Sequence, residues 1–321
     1  MHLAELKGPD YELAVAELDA TSALKEVDDS VALVERPRVK HRLALTHRLS
    51  RYLGRAQPTE DAAVELVRDV GPKPEGSFRV RARATREVDV DTQDVERRAG
   101  AAVAEKSDAE VDLVEPDVEL RLVYTESTCY LGWLETETEG YSDRQPTDKP
   151  FFKPGAMSPE LSRALTNIAG AYDGARLLDP TCGAGGSLVE AALAGARVVG
   201  VDSRREMAEG SRANLAEYVE DAETDVAVGD AAALPFSDDS FDCVVTDLPY
   251  GRQSPVDADS IAGLHAAVLR EARRVSRGRV VAVADADLRR PGEDVGLDVE
   301  LHHVHRVHRS LDRHVHVFVE L

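Results

Sequence analysis

Four consecutive residues, Asp247-Leu248-Pro249-Tyr250, have the chemical types needed to methylate an exocyclic amine of a nucleobase. Such an amine is a poor nucleophile because its lone pair is delocalised into the ring. Asp247 can accept one of its hydrogens, and the backbone carbonyl of Leu248 or Pro249 can accept the other. Tyr250 can stack on the base once the base has left its paired stack, which costs roughly a few kcal/mol. The four residues therefore predict a site that methylates the amine of a flipped base.

The stretch Asp179-Pro-Thr-Cys-Gly-Ala-Gly-Gly186 has the glycines of a ligand-binding loop. Glycine lets a ligand approach the backbone, and the N-terminus of the helix that follows favours negative ligand groups. A dinucleotide-binding loop requires a third glycine at position 188, which is Leu188 here, and this disfavours an NAD-dependent oxidoreductase. The pattern suits S-adenosylmethionine (SAM), which has no pyrophosphate. The predicted SAM-binding residues of this loop are Asp179, Thr181, Gly183, Gly185 and Gly186.

Two later segments complete the predicted cofactor site. Asp202 ends the next strand along the chain, where an acid can bind the two ribose hydroxyls of an adenosine group. Asp230 and Ala231 follow another strand and can reach the adenine from the same side. Taken alone, Asp230 is equally compatible with a solvated loop acid. The order of the three segments is what makes the SAM interpretation coherent.

A parallel sheet must position these segments, because short apolar runs alternate with helical stretches throughout residues 156–321. Such alternation predicts βαβ units and a doubly wound α/β fold, here a Rossmann-like domain. The predicted helices are 187–194, 205–218 and 261–275. The predicted strands are 176–178, 197–201, 225–228, 241–246 and 280–284, followed by a terminal hairpin of 299–306 and 314–320 at the sheet edge.

The N-terminal half predicts a smaller α+β region that ends in a linker. Residues 77–84 alternate apolar and basic side chains as a strand does, and residues 118–123 and 129–134 predict two more strands. A helix is predicted over residues 92–106. Residues 137–150 are polar and rich in turn formers, which indicates a linker between two regions of the chain.

The segments 179–186 and 246–251 resemble those of the amino-methyltransferases that modify guanine N2 in tRNA. The resemblance is greatest to the archaeal, haloarchaeal-like THUMP-domain tRNA (guanine(10)-N2)-methyltransferases, and it extends over residues 149–167 and 307–314. Residues 77–134 are similar to a THUMP domain, an RNA-binding module. The family signature is Asp-Pro-Pro-Tyr, so Leu248 replaces its first proline. This departure bears on the rigidity of the loop rather than on its chemistry.

The resemblance implies a SAM-dependent enzyme that methylates N2 of a guanine in tRNA, most specifically guanine 10, once or twice. It implies tRNA as the partner, SAM as the cofactor and no metal. It also implies four segments in the chain. These are a small ferredoxin-like α+β module over residues 1–50, a THUMP-like RNA-binding domain over 51–140, a linker over 141–155 and a Rossmann-like methyltransferase domain over 156–321.

Basic side chains cluster in two places although the net charge of the chain is -21. Residues 36–55 contain seven basic side chains and no acid, and Arg79, Arg81 and Arg83 alternate along a predicted strand. Both clusters suit contacts with RNA phosphates. The alternative is that these arginines are solvated and pair with the abundant acids. The predicted RNA-binding residues are Arg36, Arg38, Lys40, Arg42, Arg48, Arg51, Arg79, Arg81 and Arg83.

The acid excess is a background property of the whole chain and does not exclude an RNA partner. It is spread evenly, with a net charge of -11 in residues 1–150 and -10 in residues 151–321. An acidic surface stays hydrated at high salt, where the screening length is about 3 Å at 1 M, so we predict a halophilic protein. The chain has no apolar run of about 18 residues and no secretion leader. We expect a cytoplasmic protein, and a monomer.

Six of the ten histidines lie near the C-terminus. A zinc site is one interpretation, but no carboxylate–histidine motif accompanies them, and we expect them to occupy outward-facing polar positions on the hairpin. No metal site is therefore predicted. The six are His302, His303, His305, His308, His314 and His316.

Other functions stay open at this point. An Asp-Pro-Pro-Tyr type of motif serves adenine, cytosine and guanine amines alike, so the enzyme could act on another tRNA guanine or on DNA. A protein of another class, an RNA-binding protein with an inactive Rossmann-like domain, would fail to bind SAM.

Overall fold

The computed structural model of the protein describes residues 1–38, 42–84, 88–138, 140–220, 223–250, 258–309 and 311–320. The chain forms two compact units. The first comprises residues 1–41 and 45–139, and the second comprises residues 42–44 and 140–321. The boundary at residues 139 and 140 lies within the polar stretch 137–150.

The first unit is a mixed sheet with three helices in the part of the chain that is described. Its elements are β1 (His2–Leu6), α1 (Tyr11–Thr21), β2 (Ala23–Asp28), β3 (Val31–Glu35), β4 (Thr46–Ala56), α2 (Glu60–Val70), β5 (Phe78–Ala84), α3 (Thr92–Ala104), β6 (Val118–Tyr124) and β7 (Cys129–Glu137). The strand order is β2-β3-β1-β4-β7-β6-β5. Strands β5 and β6 are parallel, and the other neighbouring pairs are antiparallel.

Local sequence signals account for where α2 begins and ends beside this sheet. The Thr59 hydroxyl accepts a hydrogen bond from the Ala62 amide at the start of α2, and Gly71 ends the helix in the left-handed conformation.

Strand β4 crosses the expected boundary at residue 50, so one sheet contains strands from both expected N-terminal modules. The division into residues 1–50 and 51–140 therefore stays a prediction.

The second unit has the predicted doubly wound architecture. Its elements are α4 (Pro159–Ala169), β8 (Arg176–Asp179), α5 (Gly186–Leu193), β9 (Arg197–Asp202), α6 (Arg205–Tyr218), β10 (Thr224–Val228), β11 (Cys243–Asp247), α7 (Ala258–Val275), β12 (Val280–Ala284), α8 (Arg289–Asp294), β13 (Leu297–His308) and β14 (Leu311–Glu320). Among the described strands the order is β10-β9-β8-β11-β12-β14-β13. Strands β8 to β12 are parallel, and β13 and β14 form an antiparallel hairpin at the sheet edge.

Burial on both faces explains why the central strands of this sheet are apolar. All five residues of β12 are buried, and Val244, Val280 and Phe318 belong to one core with Leu178. The predicted bounds of helix 205–218 and strand 280–284 are confirmed, whereas the strand predicted from residue 241 begins at Cys243. No helix in the described residues is long and apolar enough to cross a membrane.

Candidate active site

Three acidic side chains lie at the carboxyl ends of neighbouring strands in the second unit. Asp179 ends β8, Asp202 ends β9 and Asp247 ends β11. Because these strands are adjacent and parallel, their carboxyl ends meet at one edge of the sheet, where ligands of doubly wound folds bind. The structure therefore brings together the predicted cofactor loop and the predicted catalytic segment.

Thr181 joins these two segments by hydrogen bonds. Its hydroxyl donates to the backbone carbonyl of Asp247 at 3.0 Å and lies 2.6 Å from Oγ1 of Thr246. Its backbone amide donates to Asp179 Oδ1 at 3.1 Å. Burial raises the pKa of Asp179 well above its usual value, and the nearby Asp247 and Asp202 carboxylates act in the same direction. Asp179 therefore acts as an anchor of the loop.

The glycine loop is held in a shape that side chains would disrupt. Gly183 and Gly185 have φ values of 50° and 75°, in the left-handed region. A Cβ at Gly185 would lie 2.3 Å from Oγ of Ser211. Asp202 fixes the loop from the next strand, because its Oδ2 accepts a hydrogen bond from the Gly183 amide at 3.0 Å. Its Oδ1 accepts from the Arg204 amide at 2.9 Å, and each oxygen keeps a lone pair for a hydroxyl.

Asp230 and Ala231 lie beyond β10, next to the end of β9. The Gly229 amide donates to the backbone carbonyl of Asp202 at 3.1 Å, which places this turn beside the Asp202 carboxylate. Asp230 is exposed and its Oδ1 accepts a hydrogen bond from the Ala232 amide at 2.9 Å. The predicted adenine contact stays a prediction.

Asp247 and Tyr250 form a hydrogen-bonded pair at the end of β11. The Tyr250 hydroxyl donates to Asp247 Oδ1 at 2.5 Å. Desolvation raises the pKa of Asp247 to about 6, although Arg313 and the Tyr250 hydroxyl lower it. Asp285 also raises that pKa by charge repulsion. The carboxylate is therefore mostly ionised only above about pH 6, and its role as acceptor for the amine stays a prediction.

Leu248 and Pro249 are fixed by backbone contacts that the sequence did not indicate. The Leu248 amide donates to the Val283 carbonyl at 2.9 Å, a bond that proline in this position would lack, and its side chain is 1% exposed in the core. His265 Nε2 donates to the Pro249 carbonyl at 3.0 Å. Of the two carbonyls considered as amine acceptors, that of Pro249 therefore already has a partner.

Two more residues support the site and were missed from the sequence. Arg313 is buried, and its guanidinium donates to the Tyr250 hydroxyl at 3.2 Å and to the Gly155 carbonyl at 2.6 Å. Asn214 of α6 donates to the carbonyls of Phe151 and Ala184 at 2.9 and 2.8 Å. Arg313 lies in the stretch 307–314 that carried the resemblance, which was an available signal. Asn214 gave none, because nothing local distinguishes it from a surface residue of a helix.

The three arginines of β5 are paired with carboxylates in the first unit. Arg79 Nε lies 2.6 Å from Glu119, Arg81 lies 3.3 Å from Glu96, and Arg83 lies 3.4 Å from Glu5. The pairing with acids that the sequence left open as the alternative is therefore present, and the role of these arginines in RNA binding stays a prediction. Each of the three arginines has a carboxylate within 3.4 Å, and this pairing compensates the positive charge of the arginine.

The segment 36–55 is also less uniform than its composition indicates. Arg48 pairs with Glu137 in the first unit, while the Arg42 guanidinium donates to the Ala194 carbonyl within the second unit. Arg55 pairs with Glu26 at 2.8 Å. Lys40 lies outside the described residues. The predicted positions with no side-chain partner among the described residues are Arg36, Arg38 and Arg51.

The C-terminal histidines do not all face outward, so that expectation is wrong for one of them. His316 is fully buried, and its ring stacks on His302 with centroids 4.6 Å apart. His316, His302 and Asp287 place ligand-type atoms within 4.8 Å of one another. The Leu288 amide donates to His316 Nε2 at 3.0 Å, however, and Asp287 pairs with Arg289 at 2.6 Å. These contacts already use the groups that a metal would need.

Comparisons with known proteins cover nearly all of the chain. The THUMP domain family matches residues 58–134, and the RMKL-like methyltransferase domain family matches residues 146–314. A tRNA (guanine(10)-N2)-dimethyltransferase of Methanothermobacter thermautotrophicus is 34% identical, over 95% of this chain and 95% of its own. The enzyme of the same description from Pyrococcus abyssi is 31% identical over 99% of each chain.

Solved structures have the same fold. The crystal structure of TrmN from Thermus thermophilus has a TM-score of 0.56 and 25% identity, and the match covers 100% of this chain and 99% of that one. The structure of SMU.472 complexed with SAH has a TM-score of 0.54 and 13% identity over 100% and 98% of the two chains. At that identity the second likeness shows the fold alone.

Proposed function

Because this chain belongs to the family of RMKL-like methyltransferases that carry a THUMP domain, we propose that it dimethylates N2 of guanine 10 in tRNA. The chain is a SAM-dependent tRNA guanine-N2-methyltransferase. The choice of guanine 10 and of two methyl groups is supported by the two relatives of 31% and 34% identity, which match over 99% and 95% of their own length.

The observation that carries the proposal is the position of Asp247 beside the glycine loop. Thr181, from the loop, donates to the backbone carbonyl of Asp247, so the cofactor loop and the amine acceptor are held in one hydrogen-bonded unit. Gly185 has no room for a side chain, and Asp202 keeps lone pairs for the ribose hydroxyls. These features fit SAM, which supplies an electrophilic methyl group when bound.

Asp247 would act on the amine of the flipped guanine. Above about pH 6 its carboxylate is ionised and can accept a hydrogen bond from N2, which localises the lone pair on that nitrogen. The methylated amine would be acidic, and Asp247 or water would take the proton that it loses. The Tyr250 ring would stack on the base, while its hydroxyl and Arg313 keep the carboxylate in place.

For the RNA contacts, we retain the three predicted arginines that have no side-chain partner among the described residues. Arg36, Arg38 and Arg51 are all exposed, so their guanidinium groups can reach phosphates. Arg42 already donates to the Ala194 carbonyl, and the other predicted arginines pair with carboxylates, so these residues would contribute less. The cytoplasmic location, the halophilic character and the monomeric state stay predictions.

The direct test is to incubate the protein with isotope-labelled SAM and an unmodified tRNA transcript, then to map the label by digestion and mass spectrometry. We expect N2-methylguanosine early and N2,N2-dimethylguanosine later, both at position 10. A transcript with adenosine at position 10 is the matched control and should stay unlabelled. Label at another guanine would overturn the position, and label on adenine or only on DNA would overturn the assignment as a tRNA guanine enzyme.

A further inference from the structure

Three charged side chains follow one another across the carboxyl end of the second sheet. Strands β11, β12 and β14 are neighbours in that order. Asp247 ends β11, Asp285 directly follows β12, and Arg313 lies near the start of β14. Ala284 pairs with His314 in antiparallel register, so Asp285 and Arg313 occupy the next position along the two strands. The order across the sheet is therefore acid, acid, cation.

The three charged side chains also belong to one face of the sheet. Val244, Val280 and Phe318, one from each strand, lie in the core that covers the opposite face. Each charged residue is an odd number of positions away from the core residue of its own strand. Because successive residues of a strand point to opposite faces, the three charged side chains share the face that this core does not cover.

Charge interactions and hydrogen bonds connect the three groups. Attraction by Arg313 lowers the pKa of Asp247 and repulsion by Asp285 raises it, so both charges act on this carboxylate. The Tyr250 hydroxyl accepts a hydrogen bond from Arg313 Nε at 3.2 Å and donates to Asp247 at 2.5 Å. The other partner of Arg313 among the described residues is the Gly155 carbonyl. Since a guanidinium has five N–H groups, Arg313 keeps donors for a ligand.

The Watson–Crick edge of guanine carries complementary groups in the same order. It presents the N2 amine and then N1–H as donors, followed by O6 as an acceptor. Two carboxylates and a guanidinium offer acceptor, acceptor and donor. Adenine and cytosine each have a lone pair on the ring nitrogen beside their amine, and this lone pair would face the second carboxylate. The arrangement therefore fits guanine and opposes the other two bases that carry an amine.

We propose that Asp285 and Arg313 select guanine at the active site, Asp285 by accepting N1–H and Arg313 by donating to O6, while Asp247 accepts the N2 amine. This inference rests on the proposed function for guanine N2 as the methyl acceptor. It supplies the choice of base that the segment Asp247–Tyr250 leaves open. The first methylation changes neither N1–H nor O6, so the same contacts can hold the base in both rounds.

The base 2-aminopurine allows a direct test, because it keeps the N2 amine and lacks both N1–H and O6. Transcripts of the tRNA with guanine or 2-aminopurine at position 10 are prepared by ligation, and kcat/KM for methylation of each is measured at pH 8. The preference for guanine is the ratio of the two values. The intrinsic difference between the two amines cancels when the preference of a variant is divided by that of the wild type.

Replacing either residue should reduce the preference for guanine. We expect Asp285→Ala to lower kcat/KM for guanine by about 10- to 100-fold, the range for a hydrogen bond to a charged group. The value for 2-aminopurine should not fall in parallel, because that base has no N1–H. Arg313→Met should lower both values, since Tyr250 loses a contact, but should lower the value for guanine by a further factor of the same size.

Two more variants make the result specific. Arg313→Lys keeps a charged donor and should restore part of the preference for guanine that Arg313→Met loses. Asp294→Ala removes the same charge as Asp285→Ala from an exposed position of α8, and it should leave the preference unchanged. The affinity of each variant for SAM, measured by titration calorimetry, shows whether the variant is folded.

The outcomes separate selection of the base from support of the site. A reduced preference in Asp285→Ala and in Arg313→Met, with SAM affinity retained, would support the inference. An equal loss on both bases in either variant would mean that the residue only supports the site, and would overturn the inference. A wild-type protein that is inactive on the guanine transcript would instead refute the proposed function.

Discussion

Replacing Asp247 with asparagine is expected to remove activity and, at the same time, to stabilise the folded protein. Asparagine keeps the shape of the side chain and can still accept the hydrogen bond from Tyr250, but it carries no charge. A positioned proton acceptor contributes a factor of about 10² to 10⁴ to a rate. We therefore expect kcat/KM for tRNA methylation to fall by that factor, with SAM affinity retained.

The gain in stability follows from the pKa of Asp247. Its ordinary value of 3.8 is raised to about 6 in the folded protein, and about two pKa units correspond to about 3 kcal/mol. Because the folded state holds the proton more tightly, the free energy of unfolding falls as pH rises from 3.8 to about 6 and stays lower above that. The stabilisation by Asp247→Asn should therefore reach up to about 3 kcal/mol at pH 8 and shrink below pH 6.

Urea unfolding at pH 5.5, 7 and 8, combined with methylation rates at each pH, checks both parts of this prediction. Asp225→Asn is the matched control, since Asp225 is exposed on β10 and should change neither quantity. Wild-type kcat/KM should rise with pH through about 6. Retained turnover in Asp247→Asn, or a lower unfolding free energy at pH 8, would refute the reasoning.

The other predictions concern the loop and the surface. Tyr250→Phe keeps the ring but loses the hydroxyl that lowers the pKa of Asp247, so the acidic limb of the pH–rate profile should move to higher pH; an unmoved limb would contradict this. Leu248→Pro loses the amide bond to Val283 and a buried side chain, and unfolding free energy should fall by about 2–4 kcal/mol. Leu248→Ala keeps the backbone amide and should lower the free energy of unfolding by less than Leu248→Pro does. Raising KCl from 0.2 to 2 M should raise the melting temperature, because salt screens the repulsion between like charges in a chain of net charge -21. A melting temperature that stayed constant or fell would count against an acidic surface adapted to salt.

The fold of the second unit could be predicted because its signals are local and repeated. Valine-rich runs gave the buried strands, and the glycines at 183 and 185 marked a loop that needs left-handed backbone. The pairing of Arg79 and Arg83 with acids could not be predicted. Their partners, Glu119 and Glu5, are distant in sequence, and which acid faces which arginine depends on strand order and register.

By itself the sequence determined which chemical groups are available: an acid and an aromatic residue after one strand, glycines after another, and a further acid at the end of a third. Their order and residue types are local properties of the chain. Only the tertiary structure decided that Thr181 joins the glycine loop to Asp247 and that Arg313 supports Tyr250. Such contacts depend on neighbours brought together by sheet order and helix packing, and these neighbours also set the pKa of Asp247.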